Sequence, residues 1–386
     1  MATLARDARL VFIAKTTRTF CYGSLGVLFP VYLTELGLDA RGLGIAVTLA
    51  LLSSAVLTVA VRRPAQRWGP RTALLGLAAL SVLAALLFLV AKSPWLVIVA
   101  AMLGNLAVGT GESGPFLALE QVAVTRASTR EGLTRALSLY NLTGYVASAL
   151  GAALVTRLTG SPTWVFAIFL AGAVIQLGAY ALMRRSPPVP ASARARQRAP
   201  SRALVRRIAA LFALDSFAGG FVIQSLVTYW FYTRFDLALG TLGWIFFGTQ
   251  ILSGLSLLLA ARLAPRLGLV NTMVFSHLIS NLLLIALAFA STLSVAVTLL
   301  LARHLLSQMD LPTRQTFLML AVEDQEREHA ATLTNTTRTV AQSVSPAVTG
   351  WIMQTLSLSA PFLLGGGLKI VYDLLLYATI RNIRTR

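Results

Sequence analysis

The chain has 386 residues, of which 56% are hydrophobic and 12% are charged, and its net charge is +19. Since about 25% of the residues of a soluble domain are charged, this composition excludes an ordinary soluble protein and predicts one whose apolar surface faces lipid. The basic residues lie in short clusters between apolar runs, which argues against a nucleic-acid-binding surface. The single cysteine, Cys21, excludes a disulfide framework, and no metal or cofactor site is expected.

Twelve apolar runs approach the length of about 20 residues that a membrane-spanning helix needs. They predict an all-α integral membrane fold with six spans in each half of the chain. The spans predicted in the first half are 10–35, 42–61, 72–91, 94–122, 136–156 and 162–183. Those in the second half are 208–233, 240–260, 271–290, 293–320, 330–356 and 361–380. Residues 184–207, rich in Arg, Pro and Ala, predict a cytoplasmic linker between an N-terminal bundle (1–183) and a C-terminal bundle (208–386).

The distribution of Lys and Arg predicts the orientation of these spans. With the N-terminus inside, 23 of the 33 basic residues lie in inner loops or at the termini, and six lie within spans. The outer side then holds four, which are Arg41, Lys92, Arg157 and Arg234. This bias predicts that both termini are cytoplasmic and that the basic inner loops contact anionic membrane lipids.

Two loops recur at the same offset in the two halves. GLDARGLG at Gly37–Gly44 matches DLALGTLG at Asp236–Gly243, and AQRWG at Ala65–Gly69 matches APRLG at Ala264–Gly268, each 199 residues further on. A single offset that relates two loops indicates a duplicated six-helix unit. Two such units in the same orientation form the parallel repeat of one large class of secondary transporters.

The segment Arg62–Leu74, RRPAQRWGPRTAL, resembles the loop between the second and third helices of the major facilitator superfamily. That loop usually reads Gly-x-x-x-Asp-Arg-x-Gly-Arg-Arg/Lys. Arg67, Gly69 and Arg71 match it and are the candidate gating residues. Gln66 stands where the family has the Asp that helps to lock the two halves on the cytoplasmic side, so this locking interaction is not expected.

A second segment, Asp310–Gln315 (DLPTRQ), is similar to a DxPTRQ stretch in a bacterial branch of the family whose substrates are mostly unassigned. The resemblance covers the whole chain. It implies a monomeric secondary transporter of a prokaryotic inner membrane that works by alternating access on a small-molecule substrate. The sequence contains no nucleotide-binding loop of a primary pump and no nucleophile or metal motif of an intramembrane enzyme.

Polar residues at membrane depth are the candidate functional residues, because a charge at the centre of a span costs about 2.5–3.5 kcal/mol even on the insertion scale. The candidates for substrate binding and proton coupling are Lys15, Arg18, Asn105, Glu112, Asn141, Asp215, Arg303, Ser307, Asp310, Arg314, Asn335, Arg338 and Gln342. Helical spacing puts the candidates from 303 to 314 on one face of the tenth span and those from 335 to 342 on one face of the eleventh. These polar stripes favour a water-filled cavity over a dry bundle.

Matched depths within the spans predict two buried ion pairs. In the first half Glu112 is expected to pair with Arg18 or Lys15, and in the second half Asp215 is expected to pair with Arg314. The second pair repeats the first with the signs exchanged.

Two further predictions concern charges away from this cavity. Lys369 and Asp373 lie four residues apart on the twelfth span and are expected to pair with each other. Glu120 is expected near an inner helix end, where it would meet the Arg-rich loops.

The buried charges allow two roles. In the first, one of the carboxylates exchanges a proton in each transport cycle, since burial favours the neutral acid and a nearby arginine favours the carboxylate. In the second, Arg18, Arg303 and Arg338 bind an anionic substrate through forked hydrogen bonds. We expect proton-coupled export (efflux) of a small organic solute, with an organic-anion carrier and a lipid or lysolipid carrier as alternatives.

Overall fold

The computed structural model describes residues 6–106, 114–127, 133–158, 161–184, 202–310, 313–314, 317–318 and 327–380. The described residues form fifteen α-helices and no strand. Eight helical segments among them are long and apolar enough to cross a membrane, and two shorter apolar helices begin at Pro94 and Leu293.

The helices of the first half are α1 (Arg6–Glu35), α2 (Ala40–Ala60), α3 (Arg62–Trp68), α4 (Pro70–Val90), α5 (Pro94–Leu103), α6 (Pro115–Ala127), α7 (Leu133–Val155) and α8 (Pro162–Ala181). Those of the second half are α9 (Arg202–Gly220), α10 (Gln224–Phe235), α11 (Leu239–Leu267), α12 (Leu269–Ala288), α13 (Leu293–Ser307), α14 (Arg327–Thr355) and α15 (Ala360–Ile380).

The starts of α5 and α13 show the internal repeat at the level of single hydrogen bonds. The Ser93 side chain accepts a hydrogen bond from the backbone N–H of Leu96, and the Thr292 side chain accepts one from Val295, both at 3.4 Å. Each cap satisfies an amide that has no partner within its own helix. Positions 93 and 292 are separated by the offset of 199 residues that relates the two loop pairs.

Backbone angles repeat at the same offset. Gly69 and Gly268, immediately before α4 and α12, have φ of 90° and 87°, and Gly37 and Asp236 have φ of 93° and 49°. The conformation at the first pair is one that residues with a Cβ rarely adopt. The duplicated sequences therefore produce the same turns in both halves.

Three predicted continuous spans are interrupted. In place of a helix over 94–122, α5 ends at Leu103 and α6 begins at Pro115. Asn105 has a left-handed φ of 50°, and Pro115 has no N–H to donate back to a preceding turn. These two residues explain why the helix does not continue.

The other two interruptions fall in the second half. The predicted span 208–233 consists of α9 and α10, which are separated by a turn at Phe221–Ile223 after two glycines. In the predicted span 293–320, α13 ends at Ser307 and a turn follows. The segment expected to connect the second and third spans contains the short helix α3.

The chain forms two compact units. The first comprises the described residues of Met1–Asp39, Leu49–Arg194 and Phe231–Phe247. In this unit α1 packs against α7 and α8, and α8 packs against α4. A close crossing of α1 and α7 requires Gly151, since a Cβ atom there would lie 1.8 Å from the carbonyl oxygen of Phe20.

The second unit comprises the described residues of Ala40–Thr48, Ala195–Trp230 and Gly248–Arg386. In this unit α9 packs against α14 and α15, and α12 packs against α13 and α15. The buried side chains of one apolar cluster, which includes Phe212, Met273 and Tyr372, join α9, α12 and α15. The bundle boundaries expected from the sequence, 1–183 and 208–386, stay a prediction.

Candidate functional site

A buried ion pair lies in the first unit between α1 and α6. Arg18 Nη1 donates to Glu120 Oε1 at 2.9 Å, and Arg18 Nη2 donates to Glu120 Oε2 at 2.6 Å. Both side chains are almost fully buried. This is the two-pronged contact in which a guanidinium matches a carboxylate best.

Aromatic residues complete this cluster. The hydroxyl groups of Tyr140 and Tyr180 both donate to the Glu120 carboxylate, and Tyr180 also accepts hydrogen bonds from Arg18 and Gln176. The guanidinium of Arg18 lies 4.4 Å from the centre of the Phe116 ring. Each Glu120 oxygen therefore accepts two hydrogen bonds, one from Arg18 and one from a tyrosine.

This cluster corrects one prediction and leaves another open. Glu120 was expected beside the Arg-rich loops at a helix end, but its position on α6 turns it into the unit and onto Arg18. Glu112, the predicted partner of Arg18 or Lys15, lies outside the described residues. Lys15 is buried with its Nζ atom 4.4 Å from the centre of the Tyr140 ring.

A second buried network lies in the other unit and is centred on Asp215 of α9. Arg314 Nη1 donates to Asp215 Oδ2 at 3.0 Å, and Lys369 Nζ donates to Asp215 Oδ1 at 2.6 Å. Arg314 Nη1 also lies 3.0 Å from Oδ2 of Asp310. The structure thus contains the predicted Asp215–Arg314 pair and adds Lys369, which was predicted to pair with Asp373.

The network continues from Lys369 to α12. Lys369 Nζ lies 3.4 Å from His277 Nε2, and His277 Nδ1 lies 2.7 Å from Asp373 Oδ1. Asn281 Nδ2 donates to Asp373 Oδ2 at 2.9 Å. The predicted Lys369–Asp373 pair is therefore wrong, since Lys369 binds Asp215 while Asp373 is held by His277 and Asn281.

A sequence signal for these missed residues does exist. His277 and Asn281 are four residues apart on α12, and Lys369 and Asp373 are four apart on α15. Each pair therefore lies on one face of its helix, and α12 packs against α15. Polar side chains at this spacing on two apolar helices can bind either along one helix or across the interface between the helices. Only the packing of the helices decides between these two arrangements.

The two clusters occupy related places in the internal repeat with opposite polarity. Arg18 on α1 and Asp215 on α9 are 197 residues apart, close to the offset of the loops. In each cluster the arginine also lies against an aromatic ring, 4.4 Å from Phe116 for Arg18 and 5.1 Å from Phe212 for Arg314. The polarity of the two observed pairs is reversed, while the predicted first pair, which names Glu112, stays a prediction.

Arg303 and Arg338 differ from these two arginines because neither pairs with a carboxylate of the described residues. Within the described part of the chain, the buried Nε atom of Arg303 has no hydrogen-bond partner. Arg338 Nε donates to the Ser216 hydroxyl at 2.9 Å. Both guanidinium groups interact electrostatically with Asp215.

The remaining candidates lie apart from the charged networks. Asn105 lies in the interruption after α5, where its backbone has a left-handed φ. Ser307 is buried at the end of α13, Asn141 and Gln342 are half-buried on α7 and α14, and Asn335 is exposed. The polar face predicted for the tenth span is not continuous, because the turn after Ser307 separates it from Asp310.

The candidate gating residues connect α3, α4 and α8. Arg71 donates to the backbone carbonyls of Ala181 (2.7 Å) and Tyr180 (3.3 Å) at the C-terminal end of α8. Arg67 is exposed and lies over the ring of Trp68, and Gly69 forms the turn described above. Since the last carbonyls of a helix lack partners within it, Arg71 joins α4 to α8.

Comparison with known proteins identifies the family. The sequence model of the Major Facilitator Superfamily matches residues 11–302 and, in a second overlapping match, residues 209–385. The chain belongs to the major facilitator superfamily. An uncharacterized membrane protein of Saccharomyces cerevisiae is 21% identical to it over 418 residues, which cover 96% of this chain and 93% of the yeast protein.

Solved structures of this superfamily have the same fold. A D-xylose–proton symporter is 13% identical with a TM-score of 0.77, covering 98% of both chains. The nucleoside transporter NupG is 14% identical with a TM-score of 0.72, covering 98% of this chain and all of the other. A human organic anion transporter (TETRAN) is 15% identical with a TM-score of 0.68, covering 96% and 99%.

These likenesses confirm the predicted all-α membrane fold, with twelve spans in two six-helix bundles. The protein is a multi-pass integral membrane protein of a transporter superfamily, and the function predicted from the sequence is confirmed at the level of secondary transport.

Proposed function

We propose that the protein exports a small organic solute by alternating access and couples each cycle to proton movement. The observation that supports this proposal is the network around Asp215, where one buried carboxylate binds both Lys369 and Arg314. A proton on this network would change the charge that holds α9 to its neighbours. Such a change at a buried ion pair is a means of coupling proton binding to a conformational change.

A transport assay in proteoliposomes tests the coupling. The purified protein is reconstituted with a pH-sensitive dye inside, and a panel of small organic solutes is added with and without an imposed pH gradient. A transported solute is expected to move protons across the membrane in the wild type. Asp215→Asn should lower this solute-dependent proton movement by at least about fivefold, the lower end of typical coupling factors.

Asp236→Asn is the matched control, because Asp236 is an exposed aspartate after α10. It should leave proton movement unchanged. The proposal would be contradicted if the wild type transports a solute without moving protons and at a rate that the pH gradient does not change. Equal proton movement in Asp215→Asn and the wild type would remove Asp215 from it.

Direction and location form part of the same proposal. Export predicts that a proton gradient drives solute accumulation into inside-out vesicles. Following the basic residues of the predicted inner loops, we place the monomeric protein in a prokaryotic inner membrane with both termini in the cytoplasm. Protease cleavage of terminal tags in vesicles of known orientation tests the topology.

A second candidate, an organic-anion carrier, is favoured by Arg303 and Arg338. Arg18 is held by Glu120 and Tyr180, which argues against the role in substrate binding that the sequence suggested for it. The other two arginines pair with no carboxylate of the described residues, so their charge would support binding of a carboxylate or phosphate.

A thermal-shift screen separates the two candidates, because a ligand that binds the folded state raises the melting temperature. Small organic anions, lipophilic cations and lysolipids are the probes. Stabilisation by anions that is lost in Arg303→Ala and Arg338→Ala supports the anion carrier. Stabilisation by cations that survives in both variants supports export of other solutes, and stabilisation by lysolipids alone supports a lipid carrier.

A further inference from the structure

The buried groups that connect α12 to the Asp215 network point to a proton-binding site. His277 lies between two carboxylates, with Nδ1 2.7 Å from Asp373 Oδ1 and Nε2 3.7 Å from Asp215 Oδ1. We propose that His277 binds the transported proton and that its protonation displaces Lys369 from Asp215. This inference rests on the proposed proton coupling and identifies the residue that carries it.

The partners of His277 assign its neutral form. Two groups face Nδ1, which are Asp373 Oδ1 at 2.7 Å and the Asn281 amide nitrogen at 3.2 Å. Because the shorter contact is to a carboxylate oxygen, which only accepts, we assign the hydrogen to Nδ1. Asn281 Nδ2 donates to the other oxygen of Asp373, which holds the carboxylate in place. The Nε2 atom then keeps its lone pair, 3.4 Å from the ammonium group of Lys369. A ring nitrogen that faces the network is therefore available to a proton.

Protonation at Nε2 places two cations at the same carboxylate oxygen. Lys369 Nζ donates to Asp215 Oδ1 at 2.6 Å, and His277 Nε2 lies 3.7 Å from that oxygen. A protonated Nε2 needs to approach by only about 0.5–1 Å to form a hydrogen bond with it. Since the ammonium and the imidazolium repel each other at 3.4 Å, the proton favours exchange of Lys369 for His277 on Asp215.

Charged and titratable groups lie around His277 on the helices that pack against α12 and at the adjoining Asp215 network. The titratable or charged groups described there and at the adjoining network are Asp215 on α9, Arg303 and His304 on α13, Asp310 and Arg314 after α13, Arg338 on α14, and Lys369, Tyr372 and Asp373 on α15. The two carboxylates that reach the His277 ring stabilise an added positive charge. Lys369 is the cation within hydrogen-bonding distance, and it is the one that moves.

The exchange would change the connection between α9 and α15. In the neutral state Lys369 joins α15 to Asp215, and the next residue on α9, Ser216, holds Arg338 of α14. In the protonated state α12 takes the place of α15 at Asp215. Proton binding at His277 would thus change the position of Ser216, which holds Arg338, although the proton itself does not contact the substrate.

The composition of the chain makes a direct test possible, because it contains three histidines and three lysines. The full-length protein is labelled with ¹⁵N-histidine and ¹³C-lysine, placed in nanodiscs and titrated with acid while its NMR spectrum is recorded. The probe is the proton itself. The His277 and Lys369 signals are expected to change together with one midpoint, and the Lys369 change is expected to disappear in His277→Gln.

His304→Gln is the matched control, since His304 is a buried histidine of the same unit whose Nδ1 lies 2.8 Å from the Leu300 carbonyl. It should leave both signals unchanged. If His277→Gln does not fold, the His277 signal is assigned by elimination with His304→Gln and His329→Gln, and Lys369→Arg assigns the lysine. A His277 that stays neutral, or a Lys369 signal that ignores it, overturns the inference.

The outcome is separable from that of the proposed function. Proton-coupled transport with a His277 that does not titrate would leave the function standing and refute this site. A titrating His277 that displaces Lys369 in a protein that moves no protons would establish the site and refute the coupled function.

Discussion

The pair of Arg18 and Glu120 allows a quantitative test of what holds the first unit together. We consider Glu120→Leu, Arg18→Met and the double variant. Glu120→Leu removes a carboxylate that accepts four hydrogen bonds, two from Arg18 and one each from Tyr140 and Tyr180. The buried guanidinium then keeps its charge without a partner acid at this position.

The expected cost follows from that burial. Removing one member of a buried ion pair destabilises a protein by about 3–5 kcal/mol, because the remaining charge is uncompensated. This corresponds to a change of roughly two to four powers of ten in the unfolding equilibrium constant. In the double variant neither charge remains, so its loss of stability should be smaller than that of Glu120→Leu. The coupling free energy between the two substitutions should be about 0.5–3 kcal/mol.

The assay is unfolding in mixed micelles with an increasing fraction of SDS, followed by the fluorescence of the six tryptophans. Glu35→Gln serves as the control, since Glu35 is an exposed acid at the end of α1 and its substitution should change the free energy of unfolding by less than about 0.5 kcal/mol. A Glu120→Leu variant as stable as this control would refute the reasoning. So would a double variant whose cost equals the sum of the two single costs.

Three further predictions concern packing and turns. Gly151→Ala should destabilise the first unit by about 1–3 kcal/mol in the same assay through overpacking, whereas Gly178→Ala, where no atom lies within 4 Å of the new Cβ, should be neutral or stabilising. Gly268→Ala should cost about 1–3 kcal/mol because of its φ of 87°, and equal stability would contradict this reading of the turn. Ser359→Ala removes the 3.0 Å hydrogen bond from Trp230 Nε1 and should cost about 1–3 kcal/mol, measured by thermal unfolding in detergent.

The composition and the repeat explain how much of the fold could be predicted. Apolar runs of span length follow from the cost of exposing polar groups to lipid, so they are visible in any sequence of this class. The 199-residue offset predicted the duplication, and the matching angles at Gly69 and Gly268 agree with it. The interruptions after Leu103 and Gly220 were missed because membrane helices also tolerate proline and glycine within a span, so Pro115 and the two glycines before Phe221 did not by themselves predict a break.

The candidate site was predictable only in part, for a related reason. The position of Asp215 within its span, measured against that of Arg314, indicated their contact, since two helices that cross the same bilayer present residues of equal depth to each other. Depth does not specify the rotation of a helix about its axis or its neighbours. Glu120 was therefore assigned to a loop contact, although its helix turns it onto Arg18.

The sequence by itself determined that the chain is a duplicated, all-helical membrane protein, and that charged residues such as Asp215 and Arg314 lie at membrane depth. The tertiary structure alone decided which charges meet: Lys369 binds Asp215 on α9 rather than Asp373 on its own helix, and His277 lies between the two carboxylates. The physical reason is that a residue's partners along one helix follow from the helical period. Its partners on other helices depend on how those helices pack, which small residues such as Gly151 and the interruptions of the helices control.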